Sequence, residues 1–155
     1  MAASFDFPSS AARDLRRASL HHDIGKLGVS NAILDKPGRL TDAEWEAVRR
    51  HPAHTVESLT RVAPFGPIAA VAGAHHERLD GSGYHRQLTG RDLSQPARIL
   101  AVADVFEALS SESPYRATLS PEQALAIVDA DSPHRLCPMC IDALASSVSA
   151  GKLRD

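Results

Sequence analysis

The sequence is short of several things. Cysteine occurs only at Cys137 and Cys140, aromatic residues make up 5% of the chain, and the net charge over 155 residues is only -2. Few aromatics give little support to strands, whereas the longer segments are rich in Ala, Leu, Arg and Glu, which favour helix. A charge so near neutral carries no general attraction to DNA or RNA. An anionic ligand must then be held by local positive charge or by metal. The longest uncharged stretch, Val62 to Ala74, is short and broken by Pro64, Gly66 and Pro67, so it cannot span a bilayer. The N-terminus MAASFDFPSSAARDLRR has no apolar run of the kind a secretory signal needs. Two cysteines and no export signal together suggest a reducing, cytoplasmic setting.

What is present reads as one helical domain. The apolar fraction of 43% is ordinary for a globular chain, and the length suffices to bury a core. Residues 1–10 are small and polar and are expected to be poorly ordered; residues 11–150 are expected to form a single all-α domain. A helix is predicted over Ala11 to His22, then a loop from Gly28 to Arg39 closed by Lys36-Pro37-Gly38. Thr41-Asp42-Ala43-Glu44 spells a capping box and opens a helix towards His51. Pro52 suits the first turn of a further helix to about Arg61. The stretch from Gly66 to Glu77 places Ile68, Val71, Ala72 and His75 at helical spacing, with the histidine on the buried stripe. Ser94-Gln95-Pro96 starts the most regular helix, whose inward face is Ile99, Val102, Ala103, Phe106 and Leu109, with Asp104 beside it. Ser120-Pro121-Glu122 caps another helix, and a last one runs from about Pro138 to Ser149.

The chemistry-bearing residues are spread along this framework. The segment Ala74 to Tyr84, AHHERLDGSGY, sets two histidines, a glutamate and an aspartate before a Gly-Ser-Gly turn. Imidazole with carboxylate suits a first-row transition metal. His22-Asp23, His51, His75-His76 and Asp104 each fall at or near the end or inner face of a predicted helix, and helices distant in sequence can aim such groups into one bundle interior. Six nitrogen and oxygen donors exceed one tetrahedral site and suit two ions sharing a bridging carboxylate. Such an ion pair can clamp a phosphoryl group and generate hydroxide at neutral pH.

The order of these pieces resembles one family. HDIGK, NAILDKPGRLTDAEW, the RRHP around His51, HHERLDGSGY, ARILAVADVFEAL and SPYR are similar, in order and spacing, to the bacterial HD-GYP group of HD-type metal-dependent phosphohydrolases. The resemblance covers roughly two-thirds of the chain and is far more specific than a lone HD pair. It implies an HD-domain helical bundle and a cyclic di-GMP phosphodiesterase that attacks phosphorus with a metal-activated hydroxide. It implies His22, Asp23, His51, His75, His76 and Asp104 as metal ligands, with Asp23 bridging two divalent iron or manganese ions. Lys26 is implied to work with Asp23 in catalysis and to meet the substrate phosphate. Asp80, Gly81, Gly83, Tyr84 and Arg116 are implied to shape the substrate pocket. The expected partners are a cyclic dinucleotide or related nucleotide, signalling proteins of the diguanylate cyclase type, and a second copy of the chain.

Two departures from the family qualify this. His85 stands where the family's third signature letter is proline, whose fixed φ stiffens the loop. A further metal-binding histidine that the family carries on an upstream helix has no counterpart before His21, which on a helix points to another face than His22. The resemblance therefore leaves open a single bound ion, a chain that is a fragment of a longer protein, and a catalytically impaired module that binds nucleotide or a signalling partner without turnover. Taken singly, a histidine on an apolar helix face is usually a core residue; the ordered set reverses that reading. Lys26 alone reads as a solvated charge, and Arg116 reads equally as a salt-bridge residue. His21, His54 and His134 read as bystanders. Cys137-Pro138-Met139-Cys140 has zinc-site spacing but no second pair to complete a site, so its thiols read as small apolar groups at a helix start.

Overall fold

The structure is a computed structural model that describes residues 5–111 and 118–151. Among these residues the only β-type pairing is an isolated bridge between Asp80 and Thr89; everything else regular is helical. The helices are α1 (Ser9–His21), α2 (Asn31–Leu34), α3 (Asp42–Arg49), α4 (His51–Thr60), α5 (Gly66–Ala72), α6 (Gln95–Ser110), α7 (Pro121–Ala130) and α8 (Pro138–Ser149). Short 3-10 turns cover Ile24–Gly28 and Ala63–Phe65. The all-α reading of the sequence therefore holds.

Local chemistry sets most of the helix starts. The Thr41 hydroxyl accepts from the backbone of Glu44 while the Glu44 carboxylate accepts from the Thr41 backbone, the reciprocal box anticipated for α3. Ser94 caps α6, and Ser120 with Gln123 forms a second box on α7. The segment expected as a loop over 28–39 contains one helical turn, α2, capped by the Ser30 hydroxyl. The helix expected to run from Gly66 to Glu77 ends at Ala72. There Ala74 N–H bonds the carbonyl of Val71, three residues back rather than four, and the chain tightens into a turn. Within the stretch expected to lack order, Phe5 and Phe7 pack against the core, and α1 begins at Ser9.

The core is aliphatic. Leu15 and Ala18 of α1, Leu59 of α4, Ile68, Ala69 and Ala72 of α5, and Ile99, Leu100, Val102 and Phe106 of α6 bury together with Val128, Leu136, Cys140, Ile141 and Leu144. Each of the larger side chains contributes about 1.5–3 kcal/mol by leaving water. α5 lies central, packed on α1, α4 and α6, while α7 and α8 close the far side of α6. The α4–α5 contact is close: a Cβ on Gly73 would collide with Val56. No helix among the described residues is long and apolar enough to cross a membrane.

Candidate metal centre

Three helices end where this site begins. α1 stops at His21, α3 at Arg49 and α5 at Ala72, and a helix C-terminus leaves carbonyls without an intrahelical partner. Each is met by a histidine three residues further on. His22 Nδ1 donates to Ser19 O at 2.7 Å, His51 Nδ1 to Val48 O at 2.8 Å, and His75 Nδ1 to Ala72 O at 2.7 Å. Pro52 helps at the second place, because in a continuous helix the Val48 carbonyl would be bonded by the N–H that proline lacks. A carbonyl only accepts, so Nδ1 holds the proton and each Nε2 presents a lone pair. One backbone device thus sets three tautomers.

Those lone pairs converge. His51 Nε2 and His75 Nε2 lie 3.0 Å apart, and with both Nδ1 atoms protonated this contact is two acceptors face to face. Asp23 Oδ1 joins them at 3.3 Å from His51 Nε2 and 3.7 Å from His75 Nε2. It is buried and has no hydrogen-bond donor. His22 Nε2 sits 3.5 Å from Asp23 Oδ2 and 3.5 Å from Asp104 Oδ1, while His76 Nδ1 lies 3.5 Å from Asp104 Oδ2. Two overlapping donor groups result, His51–His75–His76 and His22–Asp23–His75, each with its ligand atoms within 4.8 Å of one another. The tightened turn after α5 matters here. Adjacent residues on a helix diverge, yet the His75 and His76 rings lie 4.1 Å apart, facing one centre.

Acceptors crowded around an orphaned buried carboxylate oxygen are unfavourable unless a cation sits among them. The donor set is nitrogen and oxygen, which suits a divalent first-row metal. Protonation states agree. Burial pushes His75 down to about 4 and His76 down to about 3, so both are neutral imidazoles at pH 7. Burial opposes ionisation of Asp23, but its surroundings, the Lys26 ammonium at Oδ2 among them, outweigh it and hold this carboxyl well below the usual range. Burial likewise opposes ionisation of Asp104, and the surrounding imidazoles, His22 foremost, keep it anionic. His22 is pulled upward by Asp104.

The remaining candidate residues ring this centre unevenly. Lys26 Nζ donates to Asp23 Oδ2 at 2.6 Å and stays partly exposed. The Tyr84 ring stacks on His76 at 4.6 Å between centroids, the Arg49 guanidinium lies 6.0 Å from the Tyr84 ring centroid, and burial raises the Tyr84 phenol. Gly83 is buried where a Cβ would strike the backbone of His76, Glu77 and Arg78, so only glycine lets the loop lie this close. Gly81 turns with φ 78°. Asp80 is exposed and accepts from Ser82 N–H at 2.9 Å, shaping the turn rather than facing the donor cluster. Arg116 lies outside the described residues.

Two polar residues at the site escaped sequence reasoning. Thr55, fully buried on α4, accepts from Gly25 N–H at 3.0 Å and donates to His22 O at 2.8 Å, tying the His22–Asp23 segment to the helix that begins with His51. Gly25 permits this approach, since a Cβ there would collide with the His51 carbonyl. Glu77 is 1% exposed, and its carboxylate accepts from Arg86 N–H at 2.7 Å and Leu88 N–H at 2.9 Å, pinning the loop that carries Tyr84. The only forewarning was a glutamate directly after two histidines. Among the bystanders, His21 donates to Arg17 O and rests on Phe65. Cys137 and Cys140 are free and buried, with Cys140 pushed up to about 12 by burial and by Cys137.

A family model described as an HD domain matches residues 1–138. The chain is 52% identical over 135 residues to 3'3'-cGAMP-specific phosphodiesterase 3 of Vibrio cholerae, covering 87% of this chain and 29% of that protein. It is 40% identical over 136 residues to the cyclic di-GMP phosphodiesterase response regulator RpfG of Xanthomonas campestris, covering 85% of this chain and 35% of that one. Among solved structures, the cyclic GMP-AMP specific phosphodiesterase V-cGAP3 of V. cholerae shares 45% identity at a TM-score of 0.50, over 92% of this chain and 32% of that chain. This chain therefore spans about a third of the length of these relatives.

Proposed function

Because the chain belongs to the HD domain family, we propose that it is a metal-dependent phosphodiesterase that opens a cyclic dinucleotide. Water adds across one phosphodiester bond, one P–O ester bond breaks, and a linear dinucleotide with a terminal phosphate is the product. Relatives are named for 3'3'-cGAMP and for cyclic di-GMP, and both are the natural substrates to assay. The observation that carries the reading is the meeting of His51 Nε2, His75 Nε2 and the orphaned Asp23 Oδ1.

His22, Asp23, His51, His75, His76 and Asp104 would hold two divalent ions, iron or manganese; Asp23 turns Oδ1 to His51 and His75 and Oδ2 to His22. Such ions, when bound, polarise phosphoryl oxygens and lower the pKa of water. The chain's own residues do the rest. Lys26, partly exposed beside Asp23, offsets negative charge building on the phosphoryl group. Tyr84 and the glycine turn before it wall the side of the centre next to His76. Arg116 is retained as a substrate contact on the family resemblance alone. The free thiols of Cys137 and Cys140 suit work in a reducing cytoplasm.

The test is direct. Protein loaded with Mn²⁺ or Fe²⁺ is incubated with each cyclic dinucleotide, and the linear product is separated by chromatography. Turnover lost with chelator and lost in Asp23→Ala is expected. Absence of product with every metal tried overturns the reading.

A further inference from the structure

Next to the donor cluster lies a cleft of about 570 Å³ lined by Lys26, Leu34, Lys36, Arg39, Trp45 and Val48, among others. It is built by α2, α3 and the segment between them, with Lys26 at its edge. Its walls are apolar and its rim is basic. Trp45 is 48% exposed and Leu34 37%, both high for large apolar side chains in a chain with a single tryptophan. The wall is also held in place: Lys36 Nζ donates to both Glu44 oxygens, at 2.8 and 2.7 Å, and Glu44 is itself locked into the capping box of α3. Lys26 belongs to both places, lining the cleft while its Nζ touches Asp23.

We propose that this cleft is a base-binding subsite, in which one nucleobase of the dinucleotide stacks on the Trp45 indole while its phosphate lies at Lys26. The inference rests on the cyclic-dinucleotide reading and adds where one base goes. An exposed indole face with aliphatic neighbours and cations at the rim is the chemistry that takes a flat heterocycle carrying an anion. The volume lies within the range of small-ligand pockets and holds one nucleotide unit, leaving the second to the far side of the metal centre. Arg39 supplies a further cation for the base edge or the second phosphate.

Trp45 is its own reporter. The full chain, freed of metal with EDTA, is titrated with the linear diguanylate pGpG, with GMP, and with ribose 5-phosphate as a base-free control. Saturable quenching of Trp45 emission by pGpG and GMP, but not by ribose 5-phosphate, is expected. In the metal-loaded protein, Trp45→Ala is expected to raise KM for the cyclic dinucleotide about tenfold or more. Trp45→Phe, which keeps an aromatic face, should recover most of that loss, and Arg39→Ala should weaken the quenching while leaving the indole to report it. Emission unchanged by saturating pGpG, or a KM indifferent to Trp45→Ala, overturns the subsite. The two readings separate cleanly. Turnover without quenching sinks the cleft and leaves the phosphodiesterase; quenching without turnover supports the cleft and sinks the phosphodiesterase.

Discussion

The Nε2 atoms of His51 and His75 face each other at 3.0 Å with no proton between them. Both rings have committed their Nδ1 hydrogens to backbone carbonyls, and burial keeps His75 neutral. Two acceptors therefore press together in the interior, a contact that a bound cation would relieve. Removing metal should cost stability as well as activity. With Mn²⁺ at a hundredfold excess over its Kd, the expected gain over EDTA-treated protein is about 3 kcal/mol, read as a shift in thermal or urea unfolding. In His75→Ala that metal-dependent shift should shrink sharply. Identical melting curves with and without metal would contradict the cation-binding arrangement.

A second expectation concerns acid. Glu44 is drawn down to about 2, first by Lys36 and then by the Thr41 backbone and hydroxyl, from an unfolded value of 4.5. Its folded pKa lies below its unfolded one, so its contribution is present above about pH 4.5 and fades as the pH falls towards 2. The pair is only half-buried, so salt should weaken the effect. Glu44→Gln should flatten this part of the stability–pH profile. Thr41→Ala, which removes the cap itself, should cost about 1 kcal/mol at neutral pH. Urea unfolding across pH 2–6 at low and high salt measures both. A Glu44→Gln profile that overlays the parent's would refute the assignment.

These elements also show what could be read ahead of the coordinates. Helix starts were legible because capping is local: Thr41, Ser94 and Ser120 each sit three residues from the N–H they satisfy. The set of donors was legible as types in an order. Their aim was not, because it depends on where helices stop. The pattern of apolar residues continues through His75, yet α5 ends at Ala72, and only that early stop turns His75 and His76 to one side. The roles of Thr55 and Glu77 were hidden for a related reason. A threonine or glutamate in a helical pattern reads as surface, and only the fold brings His22 and the 86–88 backbone against them.

His85 yields a prediction that runs against the family spelling. It occupies the position of a signature proline, so His85→Pro looks like a repair. The backbone there has φ 92°, far from the roughly −65° that the pyrrolidine ring imposes. His85→Pro should therefore destabilise the chain, by about 2 kcal/mol or more, while His85→Gly should relieve strain and gain about 1 kcal/mol. Urea midpoints give the order Gly above His above Pro. A proline variant as stable as the parent would show that the loop takes another conformation.

Without a proline at position 85, the loop's order rests on Glu77. Its two carboxylate oxygens each take one backbone N–H, from Arg86 and from Leu88, in a position sealed from water. Glutamine keeps the shape but offers only one oxygen, and its amide hydrogens then face a second donor. Glu77→Gln should cost about 1–3 kcal/mol, the usual penalty for a buried group left without its partner. More of the effect should fall on the loop than on the core. Arg86 is an exposed tryptic site inside this pinned stretch, so cleavage after it should accelerate in Glu77→Gln well before global unfolding is detectable. The Tyr84 ring, held over His76 by the same loop, should lose its fixed stacking, which would appear as averaged aromatic NMR signals. Trypsin resistance at Arg86 equal to the parent's would remove Glu77 from this role and leave the loop's conformation to the packing of Gly83 alone.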